Sequence, residues 1–416
     1  MKRSEVLEVI ERVLRQEMEH KHMELFHECA AISEDLQIDS VGMLQLLLHI
    51  ELSAGLELPE DSFSFADVVT VKDLADLLLG HFEGAAEETA TDEVTVHCLV
   101  SCFCDALKEK GIDYRPLYFG LWDAPFFYEK GRVFYHKLEI DHSLYIKGFE
   151  CLYGAQVTQW YDHSQSQKEN VDSFEGLLAT KDSAEEVVAM VDMSKLPARE
   201  NKYYQKVFPH YAIFEEVAVG KNLLMRDPDF RWSGEVERKQ VLESMLIPSI
   251  GGGYSYNTEV LHEATRDEVA RYFDATLNEQ ENVYQTLLRQ CLDDYGSGSS
   301  AYPLSKLGEA LQELPVIAIR KYAYEHAFAY YWLQQVYSEE QFERMCESIA
   351  ELAEGFNQFH YLAMKYSVTG SASALQKASD SLKELDALEF AIKAELRTAH
   401  QSWVASFNKN REGVLA

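Results

Sequence analysis

Ten consecutive residues, Gly84-Ala-Ala-Glu-Glu-Thr-Ala-Thr-Asp-Glu93, constrain the chain more than any other feature. They are small and acidic, the composition of a linker rather than of a packed element. Residues 1–83 must therefore build one small domain, and the rest must fold separately. A chain of 416 residues has room for two or three domains. With 47% hydrophobic and 12% aromatic residues, each has enough apolar surface to bury.

The net charge of −32 excludes nucleic acid and anionic membranes as partners, since both would repel the chain. Residues 1–83 alone carry 6 Lys/Arg against 18 Asp/Glu, so that segment should attract basic surfaces. The opening MKRSEVLEVIERVL mixes charge throughout and has no signal-peptide core. The longest apolar runs, such as Leu46-Leu47-Leu48, are far too short to cross a bilayer, and the REGVLA end has no lipidation box. The expectation is a soluble cytoplasmic protein. Its seven cysteines, Cys29, Cys98, Cys102, Cys104, Cys151, Cys291 and Cys346, are scattered and odd in number, which reads as free thiols. The Cys98, Cys102, Cys104 cluster has no CxxC pair or spaced His pair, so no metal site is expected.

In residues 1–83, Val6, Ile10 and Leu14 recur at helical spacing, and a second helix begins at Ser40 behind Asp39. Leu58-Pro59-Glu60-Asp61 breaks the pattern, and Val71 to Leu79 resumes it. The run Asp39-Ser40-Val41-Gly42-Met43-Leu44-Gln45-Leu46-Leu47-Leu48-His49-Ile50-Glu51 resembles the second helix of acyl and peptidyl carrier proteins. Gly55-Leu56-Glu57-Leu58-Pro59, Asp67-Val68-Val69-Thr70-Val71 and Asp73-Leu74 continue the match. The resemblance implies a four-helix acyl carrier bundle with 4'-phosphopantetheine covalently on Ser40, installed by a phosphopantetheinyl transferase and charged by an acyl-loading enzyme. The chemistry agrees, because a helix start favours a phosphodiester through free amides and the macrodipole. By itself Asp39-Ser40 is an ordinary helix cap. Carrier proteins often display acids along this helix; here Gly42, Met43, Gln45 and Leu46 follow the serine, as a dedicated carrier would have it.

Beyond the linker, Val94-Thr95-Val96 reads as a short strand leading into a helix from Cys98 to Lys110, ended by Gly111. Strand-like runs follow at 133–137, 144–149, 187–192, 211–219 and 222–226. From Glu235 the chain reads as almost wholly helical. Phe342, Met345, Ile349, Leu352, Phe356 and Phe359 line one face of a long helix, and Leu375, Ala378, Leu382 and Leu385 line another, so the two should pack as a hairpin. Gly251-Gly252-Gly253-Tyr254-Ser255-Tyr256 lacks the ending of a phosphate loop and reads as a flexible connection. Gly296-Ser297-Gly298-Ser299-Ser300 reads as a linker between helices.

Three features of residues 94–240 stand in an order found in papain-like cysteine folds. Cys98 opens a helix, where the dipole stabilises a thiolate and makes it nucleophilic. Phe208-Pro209-His210-Tyr211-Ala212-Ile213 starts an apolar strand at a histidine. Leu223-Leu224-Met225-Arg226-Asp227-Pro228-Asp229 ends the next strand at an aspartate. A hairpin through Val219-Gly220-Lys221 would bring His210 and Asp227 together, with Cys98 as nucleophile, His210 as base and Asp227 as the group that orients it. Asp229 competes with Asp227 for that role, and His97, His136, His142 and His163 are alternative bases. No glutamine stands five or six residues before Cys98, so an oxyanion donor of the peptidase kind is missing.

His97-Cys98, Tyr118-Phe119-Gly120-Leu121, Val191-Asp192 and His210 with Asp227-Pro228 look like the butirosin biosynthesis protein H group. That resemblance implies a papain-like acyltransferase moving an acyl group from a carrier protein to a small-molecule amine. The fold expected is α+β multidomain. It has an acyl carrier bundle at 1–83, a linker at 84–93, a papain-like domain at 94–240 and a helical lid or acceptor-binding domain at 241–416. A thioesterase using the same residues, or a silent domain that only docks the loaded carrier, are the rival functions. A homodimer in which one chain serves another stays open.

Overall fold

The computed structural model describes residues 2–54, 68–80, 96–138, 140–199, 207–217 and 221–414. The linker 84–93, the 55–67 stretch with the Gly55–Pro59 and Leu58–Asp61 motifs, Asp67, the Val94-Thr95 pair and the Val219-Gly220 turn lie outside them. Three parts follow in sequence.

The first part holds α1 (Arg3–Arg12), α2 (Ser40–Ala54) and α3 (Val71–Leu78). Thr70 starts α3 through a capping box: its hydroxyl accepts from Asp73 N while Asp73 Oδ2 accepts from Thr70 N at 2.8 Å. That is the local reason for the Thr-Val pair in this motif. Val6, Ile10, Leu14, Leu47, Ile50 and Leu74 close the core between the helices.

The second part is built on α4 (Cys98–Glu109), a hairpin of β1 (Phe127–Glu129) and β2 (Arg132–Phe134), α5 (Ser143–Tyr153), β3 (Val157–Gln159) and α6 (Gln167–Thr180). It continues with β4 (Glu185–Asp192), β5 (Pro209–Glu216), β6 (Asn222–Asp227), β7 (Trp232–Glu237), α7 (Arg238–Met245) and β8 (Gly253–Asn257). Six of these strands form one antiparallel sheet in the order β3-β8-β4-β5-β6-β7. Side chains alternate across it: Val188, Met190, Tyr211 and Ile213 join the core that contains α4, while Val187, Ala189, Ala212 and Phe214 join the core of α6 and α7.

Three local readings change. Residues 144–149 are helical, not extended: Tyr145, Gly148, Phe149 and Leu152 of α5 are the buried ones, a helical spacing that outweighs the strand preference of Tyr, Ile and Phe. Trp232–Glu237 and Gly253–Asn257 are strands, so the sheet extends past residue 240 and the chain is not helical from Glu235. The glycines at 251–253 permit close packing rather than flexibility. Gly252 adopts φ +153°, and a Cβ on Gly253 would stand 2.0 Å from the Trp160 ring.

The third part contains α8 (Arg266–Thr276), α9 (Val283–Gly296), α10 (Leu307–Ala310), α11 (Leu314–Ala318), α12 (Ala323–Leu333), α13 (Glu339–Thr369) and α14 (Ala372–Val414). The last two pack as the expected hairpin, turned by Gly370 at φ +63°. The helices share one continuous core with the α4 side of the sheet. Buried Lys321 pairs with Glu389 at 2.6 Å, and buried Lys393 reaches Asp123 at 3.0 Å, tying α14 to the second part. No helix among the described residues is long and apolar enough to cross a membrane.

Candidate active site

His97 is extended (φ −160°, ψ 111°), and Cys98 is the first residue of α4. Buried Leu99, Val100, Cys102 and Phe103 fix the helix against the core, which leaves the half-buried Cys98 at its amino-terminal end. The free amides of the helix start lie at that end. Cys102 and Cys104 are core thiols, Cys102 directed at the Tyr211 carbonyl.

His210 is the second residue of β5, and Asp227 is the last of β6. The register pairs Ile213 with Arg226. One step further along, Asp227 stands opposite Ala212, diagonal to His210 and on the same side of the sheet. His210 Nε2 and Asp227 Oδ1 are 2.8 Å apart, and both residues are buried. Cys98 lies close enough to His210 for its charge to act on the imidazole. The structure thus brings together the three residues singled out in the sequence. Burial would depress the imidazole, but the Cys98 and Asp227 charges prevail and hold His210 well above the usual histidine value.

The alternatives sit elsewhere. Asp229 takes the Ser101 hydroxyl at 2.9 Å rather than a nitrogen of His210. His142 Nδ1 lies 3.0 Å from the Tyr254 hydroxyl. Burial pushes His136 down to about 4 and His142 to about 3, with buried Arg320 adding to both. His97 is also held low by burial and by Arg320, and its Nδ1 has no partner. His163 is exposed. Among the described residues no cluster of His, Cys, Asp or Glu could hold a metal.

Sequence reasoning missed two cations that shape this centre. Arg199 is buried and places Nη2 3.3 Å from Asp227 Oδ2, so the carboxylate faces His210 on one side and a guanidinium on the other. Arg320 donates to the carbonyls of Ala124, Pro125 and Tyr135 at 3.1, 2.8 and 3.1 Å, holding the two ends of the β1–β2 hairpin. Neither lies in a motif; only the burial of an arginine marks it. Beside the centre a cavity of about 560 Å³ is lined by Tyr135, His136, Glu313, Val207 and Pro209, the last adjoining His210. Burial, Glu313 and the Cys98 charge all push the Tyr135 phenol upward, which puts this wall within electrostatic reach of the thiol.

Residues 93–261 match the DUF6005 N-terminal domain, and residues 267–414 match the DUF6005 C-terminal domain. The chain belongs to the DUF6005 family. It is 41% identical over 324 residues to petrobactin synthase of Bacillus anthracis, a match spanning 77% of this chain and 98% of that protein. Over 78 residues it is 33% identical to the acyl carrier protein AsbD of Bacillus anthracis, covering 19% of this chain and 86% of that protein. Cys98, His210 and Asp227 all fall within the DUF6005 N-terminal domain, whose matched span includes β8 and so takes in the whole six-stranded sheet.

Proposed function

We propose that this DUF6005 protein is a biosynthetic acyltransferase fused to its own acyl carrier domain. The observation that carries the proposal is the line Cys98–His210–Asp227, with the thiol at a helix amino terminus and the imidazole held between thiol and carboxylate. A helix opened by a cysteine and packed on an antiparallel sheet that supplies His and Asp supports the papain-like reading. Similarity to both a petrobactin synthase and an acyl carrier protein supports natural-product synthesis from a carrier-bound acyl group.

The carrier part suits 4'-phosphopantetheine at Ser40. Ser40 is the first residue of α2, and exposed Asp39 caps the helix by accepting from Gly42 N at 2.7 Å. A helix start of this kind suits a phosphodiester through its free amides and dipole. When bound there, the arm would supply an acyl group activated as a thioester.

The chain's own residues account for the rest. Cys98 Sγ attacks the acyl carbonyl carbon, and the amide nitrogens at the start of α4 stabilise the developing oxyanion. His210 protonates the departing thiol, leaving the acyl group on Cys98. The acceptor amine then attacks that carbonyl, His210 takes the amine proton, and Cys98 leaves as thiolate. Asp227 keeps the imidazole oriented throughout and stabilises its cation. The cavity at Tyr135 and Pro209 is the approach for the acceptor. An amide is less electrophilic than a thioester, so the product does not revert.

The test loads the full chain through an acyl-coenzyme A and a broad-specificity phosphopantetheinyl transferase, then follows release of the acyl group. Faster release with an amine, and amide product, support the transferase. Equal release as free acid with and without amine indicates a thioesterase. No release in either case indicates a silent docking domain.

A further inference from the structure

Helix α2 is buried around too much of its circumference for a small free-standing domain. Met43, Leu44, Leu46, Leu47, Leu48 and Ile50 are each at most 5% exposed. At about 100° per residue they cover roughly 200° of the helix, twice the stripe of about 100° that an ordinary surface helix buries. Another part of the chain supplies the second face: Tyr361 and Met364 of α13 belong to the same apolar cluster as the carrier core. Glu51 falls inside the buried arc, and its carboxylate is only 11% exposed. It accepts from the Tyr361 hydroxyl and pairs with Lys365 Nζ, both from α13.

The same stretch of α13 reaches the active-site layer. Met364 packs on Gly308, which begins the contact with α10. α10 packs on β2, and β2 with Glu313 lines the cavity beside His210. Glu51 is eleven residues after Ser40, about 16 Å along the helix axis, so a clamp at Glu51 leaves the Ser40 end clear. The charge complementarity is local to the contact: Lys365 of α13 meets Glu51 of α2.

We propose that the Tyr361–Met364–Lys365 patch is a dock for the chain's own carrier, holding it in cis on the layer that forms the rim of the acceptor cavity. The proposal rests on the carrier reading of residues 1–83. In Bacillus anthracis the matching parts are two proteins, one similar over 98% of its length and the other over 86%. Here the two parts are joined in one chain and meet at α2 and α13.

The experiment compares full-length wild type, Lys365→Glu, and the swap Glu51→Lys with Lys365→Glu. Hydrogen exchange over 40–54 and 357–367 reads the interface without any assumption about catalysis. Lys365→Glu should speed exchange in both segments and slow transfer from the loaded Ser40 arm at least about fivefold. It should leave transfer from a free acyl-N-acetylcysteamine thioester unchanged, and the double swap should restore both the protection and the rate. Unchanged exchange and unchanged carrier-borne transfer in Lys365→Glu, or an effect the swap does not rescue, would overturn the dock. A wild-type rate per molecule that falls on dilution would overturn docking in cis in favour of a second copy. Failure of wild type to use either thioester condemns the catalytic reading alone, because exchange and its rescue still decide the dock.

Discussion

Asp227 divides its carboxylate between two buried cations, with Oδ1 2.8 Å from His210 Nε2 and Oδ2 3.3 Å from Arg199 Nη2. Two residues on, Asp229 instead accepts from Ser101. The two carboxylates differ in what they hold, and their variants should separate. Asp227→Asn should cut acyl transfer by on the order of 10²–10⁴-fold, since the amide neither fixes the imidazole tautomer nor stabilises its cation. Asp229→Asn should stay within about tenfold of wild type. Single-turnover rates from the loaded carrier check both, and equal losses would remove Asp227 from its assigned role.

Buried His142 and half-buried His136 set a pH dependence of stability. Burial holds His142 at about 3 and His136 at about 4, so both fold as neutral rings. Their folded values lie below the unfolded one, so the unfolded chain binds more protons and stability falls as pH drops below about 6.5. By pH 5 each contributes a loss on the order of 2 kcal/mol. His210 has the opposite sign: held high, it adds stability that is fully present in acid and lost as pH rises through its folded value. The urea midpoint should fall from pH 7 to pH 5, and less so in His142→Asn. A midpoint that rises over this interval would contradict neutral burial.

Gly253 is a packing position. A Cβ there meets the Trp160 ring at 2.0 Å, while Trp160 Nε1 donates to Val188 O at 3.1 Å across the sheet. Gly253→Ala should lower stability by about 1–3 kcal/mol or more. Denaturant titration checks this, and an unchanged midpoint would show that the ring moves aside freely.

Periodicity and chemistry made much of the molecule legible. Val187 to Asp192 and Tyr211 onward read as strands because their apolar residues are buried on both faces of the sheet, and the α13–α14 hairpin announced itself through its apolar stripes. Cys98, His210 and Asp227 were legible because each stands at the end of an element, where a side chain can leave the core. Local pattern failed where tertiary packing decides. α5 carries strand-favouring residues on a helical stripe, and Gly251–Gly253 looks loose until Trp160 and Tyr211 close on it. Arg199 and the Glu51–Lys365 pair are invisible for another reason: their partners lie 28 and 314 residues away, and no short window contains both ends.

Ser40 is the attachment point in this account. Incubation with coenzyme A and a phosphopantetheinyl transferase should add one arm to wild type and none to Ser40→Ala, read by intact-protein mass. Modification of Ser40→Ala would place the arm elsewhere.

The central claim is that the acyl group passes through Cys98. The direct measurement is to load the full chain at Ser40, quench it at intervals without and with an amine acceptor, and map the acyl group by peptide mass. Wild type should show acyl first on the Ser40 peptide, then on the Cys98 peptide, and then, once amine is present, as amide product. Cys98→Ala should remain loaded at Ser40 and transfer nothing. Amide formation by Cys98→Ala at the wild-type rate would contradict the account and make Cys98 a core thiol.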